Sequence, residues 1–88
     1  MNSPDRNIEE TKKIIERFFE ALDALIVKKE IRGVNTYCRL YKIDRRNLMA
    51  QRKDLNRGWF KVSWLVPMVR EYKVSAEWLL TGFGKMFK

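Results

Sequence analysis

The chain has no histidine, and among its 88 residues it has one cysteine, Cys38. The first absence removes the usual general base, the usual neutral metal ligand and every Ser–His or Cys–His pairing. The second removes an internal disulfide and any zinc site built on thiolates. The four glycines, Gly33, Gly58, Gly82 and Gly84, match neither a Walker loop nor a dinucleotide-binding loop. Five of the eleven carboxylates lie along one expected helix among basic neighbours, and no isolated acid/base pair stands out. No apolar run approaches the ~18 residues that a membrane helix needs, and the opening MNSPDRNIEETKK lacks the apolar h-region of a signal peptide. The expectations are that the protein is not an enzyme, holds no metal or cofactor, spans no membrane and is cytoplasmic. No small-molecule ligand is evident.

What is present is an apolar fraction of 45%, enough for one modest core, and a length that fits a single domain over residues 1–88. The net charge is +8 and is unevenly placed. Residues 1–31 carry six basic and seven acidic groups, a net −1, whereas residues 32–61 carry nine basic and two acidic, a net +7. Such a concentration of positive charge is the footprint of a polyanionic partner.

Residues 1–7 are polar and expected to be frayed and flexible. From Ile8 to about Lys29, Ile15, Phe18, Phe19, Leu22, Leu25 and Ile26 recur at three- and four-residue steps, which predicts a long amphipathic helix. Its polar face, with Glu9, Glu16 and Glu20 among Lys12, Lys13 and Arg17, reads as a solvated surface. Val34, Tyr37, Cys38 and Tyr41 form a second stripe on a helix of about two turns, with Asn35 or Thr36 as its start. Cys38 reads as a small buried residue where two helices touch. Asp44 is a good N-cap for a third helix, Arg45 to about Asp54, with a carboxylate that can accept from the N–H of Arg46 or Asn47. Leu48 is its one strongly apolar inward residue. At 100° per residue Arg46, Met49, Ala50 and Lys53 share the opposite face.

In the following loop, LNRGWFKVSW, Trp59 and Phe60 are either stacking platforms or anchors of the loop onto the core. Ser63 is the expected cap of a fourth helix, with Pro67 in its first turn, where the missing donor costs little. Ser75 caps a last short helix, Ala76 to Thr81, ended by Gly82 in a left-handed conformation.

Two short helices on a tight turn, the second basic on its outer face, describe a helix-turn-helix over residues 34–53. At this point the chain resembles a family. Residues 34–53 are similar to the helix-turn-helix of the phage-repressor (Cro/XRE, lambda-repressor-like) group. YKVSAEWLLTG is similar to the ending common in such domains. RFFEALDALI, RRNL, RGWF and VSAEWLLTGFGKMF together look like small regulators of Bacteroides-type bacteria. The resemblance implies an all-α, five-helix lambda-repressor-like DNA-binding domain with a long first helix. It places Cys38 at the small residue of the first motif helix, Ile43 at the apolar residue of the turn and Leu48 at the buried aliphatic of the recognition helix. Lys42 falls where glycine is usual, which implies a left-handed lysine. A second buried aliphatic would fall at Gln51, and the position that often carries a base-reading glutamine is Val34.

The expected function is sequence-specific binding of double-stranded DNA by a transcriptional regulator, with helix 45–53 in the major groove. Arg45, Arg46, Met49 and Ala50 are the expected base readers. Arg39, Lys42, Arg52, Lys53, Arg57 and Lys61 are the expected phosphate ligands. One such module covers only ~600–1,000 Å², so a homodimer on DNA is expected. Leu80, Phe83, Met86 and Phe87 serve either as its symmetric contact or as a tail folded onto its own core. The alternatives are a protein-interaction module, antitoxin-like or adaptor, with its basic face on an acidic partner, and a binder of RNA or single strands that stacks bases on Trp59 and Phe60.

Overall fold

A computed structural model describes residues 4–88. Among them are five α-helices and one short 3₁₀ turn: α1 (Pro4–Val27), α2 (Val34–Leu40), α3 (Arg45–Lys53), the 3₁₀ turn Val62–Leu65, α4 (Val66–Glu71) and α5 (Ala76–Thr81). Helix α1 is long because nothing in its sequence breaks it after the proline, which is tolerated in a first turn. It starts four residues before the expected Ile8 and stops two before Lys29. Of the segment expected to be flexible, residues 1–3 lie outside the described residues, and residues 4–7 have helical backbone.

The stripe of α1 is the spine of the core. Ile15, Phe18, Phe19, Leu22 and Leu25 are all buried. Phe18 meets Phe19, Tyr37, Phe60 and Trp64 with ring centroids 5.0 to 6.0 Å away, so one aromatic side chain ties α1 to α2, to the loop after α3 and to the 3₁₀ turn. Tyr37 donates its buried hydroxyl to the carbonyl of Trp64 at 2.7 Å. Burial pushes its phenol far above the ordinary range. Tyr41 donates to the Tyr72 hydroxyl at 2.9 Å, and its own phenol is pushed up to about 12, by burial first and then by that bond.

Several local expectations are corrected. Helix α2 begins at Val34 on the backbone of Gly33, whose carbonyl accepts from Thr36 and Tyr37, so neither Asn35 nor Thr36 is its cap. Ser63 caps no helix: the segment expected as one helix is a 3₁₀ turn followed by α4, with Pro67 in the first turn of α4. Arg17 is not on a solvated surface. It crosses to α5 and donates from Nε to the Leu79 carbonyl (2.8 Å) and from Nη2 to the Leu80 carbonyl (3.1 Å). A cation there satisfies carbonyls at a helix C-terminus and favours its dipole.

Helix α5 otherwise follows expectation, with Ser75 Oγ accepting from Trp78 N at 3.2 Å and Gly82 at φ 84°. Beyond it the chain doubles back. Ser75 N donates to Met86 O, and Lys88 N donates to Lys73 O. Met86 and Phe87 pack on the core, with Lys28 Nζ 3.8 Å above the Phe87 ring. These two residues therefore belong to the fold of their own chain, while Leu80 and Phe83 stay exposed.

Candidate nucleic-acid interface

The geometry of the basic segment starts at the turn between α2 and α3. The last turn of α2 closes with Ile43 N donating five residues back to the Cys38 carbonyl at 2.9 Å, while Lys42 sits between them at φ 56°. This is the left-handed helix ending that glycine adopts freely and a lysine adopts at a cost of about 1 kcal/mol. Lys42 thus takes the left-handed conformation that the resemblance implied. The same ending recurs at Lys29, φ 64°, where α1 stops.

Asp44 then caps α3, with Oδ1 accepting from Asn47 N at 3.1 Å. Cys38 lies buried beneath this turn. Burial pushes its thiol up, outweighing the neighbouring Arg45 guanidinium, so it stays a packed thiol.

Helix α3 is fixed by two inward residues rather than one. Leu48 is buried, and so is Gln51, with no exposed surface. Its amide holds the following loop: Oε1 accepts from Trp59 N and Phe60 N, both at 2.9 Å, and Nε2 donates to the Leu55 carbonyl at 3.1 Å. The position where an aliphatic was expected carries a buried amide that organises 54–60. The loop aromatics divide. Phe60 turns inward onto Phe18 and Trp64, whereas Trp59 is 45% exposed.

With Leu48 and Gln51 inward, the outer face of α3 presents Arg45, Arg46 and Lys53 to solvent. Met49 and Ala50 are half-buried, and Met49 packs against the core, so only part of each reaches the surface proposed for base reading. Arg52 donates to Asp23 of α1 at the surface and lies over the Phe19 ring with its guanidinium carbon 5.3 Å from the centroid, so α3 is tied to α1 through this side chain. Arg39 is exposed on the outer side of α2. Arg57 is exposed, with Nε 3.7 Å from Asp54 Oδ2, a pairing at the surface worth ~0–1 kcal/mol that leaves it available.

Lys42 and Lys61, separate in sequence, line the same cleft of about 400 Å³ between the α2–α3 turn and the start of α4. Arg70 of α4 lines it too. Sequence reasoning missed Arg70, since nothing in a helical pattern says that the fourth helix returns beside the turn.

A second concavity, about 320 Å³, is almost wholly apolar, with Val62, Leu65, Val66, Val69, Leu79 and Leu80 on its walls. Among the described residues no helix is long and apolar enough to cross a membrane. No family model, curated protein or solved structure matches the chain, so its site is read from its own geometry.

Proposed function

We propose that the protein binds double-stranded DNA sequence-specifically, as a repressor-like helix-turn-helix module of transcriptional regulation. The observation that carries this reading is the construction of α2, the turn and α3. A left-handed turn at Lys42 and an Asp44 cap join two short helices. Leu48 and Gln51 turn inward and leave Arg46 and Lys53 exposed on the opposite face, with Arg45 exposed at the leading end of the helix. A helix so braced, with guanidinium groups at its leading end, suits a major groove about 12 Å wide, where guanine O6 and N7 take a bidentate arginine. Lys42, Lys53, Arg57 and Lys61 supply the charge that phosphates attract.

Dimerisation on DNA belongs to this reading. The apolar groove between the 3₁₀ turn, α4 and α5 is continuous with exposed Leu80, and Phe83 is 72% exposed. Arg70 stands on its lining, yet the groove exposes almost no polar surface, and an apolar patch of this kind is one that a second copy can cover.

Selection of bound sites from random duplexes tests the reading. A consensus with an inverted repeat is the expected result, as is a fall of log K with log salt at a slope of about −5 for six phosphate contacts. A flat salt response or no binding at low salt would end it. The exposed indole of Trp59 favours one other reading, single-strand binding by base stacking. Competition between duplex and single-stranded oligonucleotides decides between them, with the duplex expected to win.

A further inference from the structure

Lys42, Lys61 and Arg70 come from three different parts of the fold: a helix-ending turn, the end of a loop and α4. All three are exposed, and all three line the cleft of about 400 Å³. The one carboxylate on its lining, Asp44, is already engaged in capping α3 through Asn47 N. Glu71 lies 3.4 Å from Arg70 Nε, in a pair exposed on both sides, which solvent weakens to the point where Arg70 can exchange partners. Ser63 and Asn47 add neutral side-chain donors to the lining. Tyr41 and Trp64 give it an apolar wall, and Tyr41 already spends its hydroxyl proton on Tyr72. Two ammonium groups, one guanidinium fork, a hydroxyl and an amide around a half-open space make a receptor for a tetrahedral oxyanion attached to a larger body. The volume lies at the low end of ligand-sized pockets.

We infer that this cleft is a phosphate-group site, held by Lys42, Lys61 and Arg70 with Ser63 as a neutral donor, so that the protein's grip on phosphate extends beyond α2 and α3 onto α4. A DNA backbone phosphate is the source that follows from the proposed function. A free phosphate compound offers the same chemistry, and the experiment separates the two.

Lys42 makes the test sharp, because its backbone and its side chain oppose one another. Glycine at φ 56° relieves the left-handed strain, so Lys42→Gly melts at or above the temperature of the parent chain. A loss of binding by that variant is therefore not a loss of fold. The full chain and its Lys42→Gly, Arg70→Ala and Lys13→Ala variants are titrated with duplex DNA at several salt concentrations. Lys13, exposed on α1, is the control. The amide spectrum of the full chain is also followed with the duplex, with inorganic phosphate and with a deoxynucleoside monophosphate at matched ionic strength.

Each cleft variant should lower the salt slope by about 0.9 and bind about eightfold more weakly at 0.1 M salt, the effect of one lost phosphate contact. The amides of residues 42–47 and 61–64 should shift with the duplex. Should the parent bind duplex while both cleft variants behave like Lys13→Ala, the cleft inference falls and the DNA reading survives. Should those amides respond to free phosphate or the monophosphate while no duplex binds, the site stands, its ligand is a free phosphate compound and the DNA reading falls. Silence toward all three titrants overturns both.

Discussion

Gln51 shows how much one side chain holds in place. Its buried amide satisfies the N–H groups of Trp59 and Phe60 and reaches back to the Leu55 carbonyl. Leucine there would fill similar space but leave two N–H groups without a partner. Each orphaned donor costs about 1–3 kcal/mol, so Gln51→Leu should destabilise the protein by about 2–4 kcal/mol in urea unfolding. The loop that carries Arg57 and Lys61 would lose its fixed path. At the same scale, two tyrosines set the response to alkali. The phenols of Tyr37 and Tyr41 are held protonated in the fold by burial, Tyr41 up to about 12 against an ordinary 10.0. A group whose pKa is raised by folding gives stability that is complete below its unfolded value and is lost as pH climbs to the folded one. Stability should therefore hold until about pH 10 and then fall by up to about 1.4 kcal/mol per pH unit for each tyrosine. Urea midpoints measured between pH 8 and pH 12 check this. Tyr41→Phe should remove one proton's share of the slope, and an unchanged slope would assign the alkaline loss elsewhere.

At the scale of elements, the helices end on strained residues and lean on one another's termini. The three residues with positive φ other than glycine are all lysines, Lys29, Lys42 and Lys73, among the described residues. A left-handed lysine costs ~1–2 kcal/mol that glycine does not, offset in part by the greater freedom of glycine in the unfolded chain. Lys29→Gly should thus stabilise by about 0.5 kcal/mol in thermal or urea melts. A lower midpoint would mean that the lysine side chain contributes more than its backbone costs. Gly82→Ala should act in the opposite direction, by about 1 kcal/mol or more. Its φ of 84° disfavours a side chain, and the added Cβ would stand 3.1 Å from Nη1 of Arg17, which bonds the α5 carbonyls. Helix α3 carries the division between reading and holding. Arg46 lies opposite Leu48 and Gln51 on the outer face, whereas Lys61 flanks the loop. Arg46→Ala should cost about 1–3 kcal/mol on the selected site and far less on scrambled DNA, and Lys61→Ala should weaken both alike with a salt slope lower by about 1. Titrating both variants against both duplexes checks this. Equal loss on the two DNAs by Arg46→Ala would transfer the reading role to Arg45.

At the scale of the whole molecule, a cationic cleft and an apolar groove adjoin, sharing Val66 and Arg70 on their linings. Residues 32–61 hold a net +7, while the groove of Val62, Leu65, Val66, Val69, Leu79 and Leu80 carries almost no polar surface. If that groove is the contact between copies on DNA, a charge at its rim should separate dimerisation from folding. Leu80 is 51% exposed and lines this groove but not the cationic cleft, so Leu80→Lys removes little core packing. The variant should fold, bind a half-site as well as the parent does and lose the cooperative binding of a full inverted repeat. Mass measurement of the protein–DNA complex, two copies against one, reads the result directly. Two copies retained with the lysine would move the interface away from this groove.

By itself the sequence determined the helical class, the long first helix and the caps at Asp44, Ser75 and Gly82. These depend on periodicity and on side chains that reach only three or four residues along the chain. It also determined where positive charge concentrates, since charge is a sum over residues. Tertiary structure alone decided what each charged side chain does. Arg52 and Arg17 look like any other surface cation in sequence. One is taken by Asp23 and Phe19, the other by the carbonyls of α5, because α1 passes beside both α3 and α5. It was likewise packing between elements that buried a glutamine where an aliphatic was expected, because the loop beyond α3 supplied two N–H groups for its oxygen. The fold-back after Gly82 paired Lys73 with Lys88 through their backbones and drew Phe87 under Lys28. The return of α4 brought Arg70 beside Lys42 and Lys61. Contacts between residues distant in sequence leave no period or spacing in the chain, and the cleft that joins those three cations forms where two such distant segments, 41–47 and 61–70, meet.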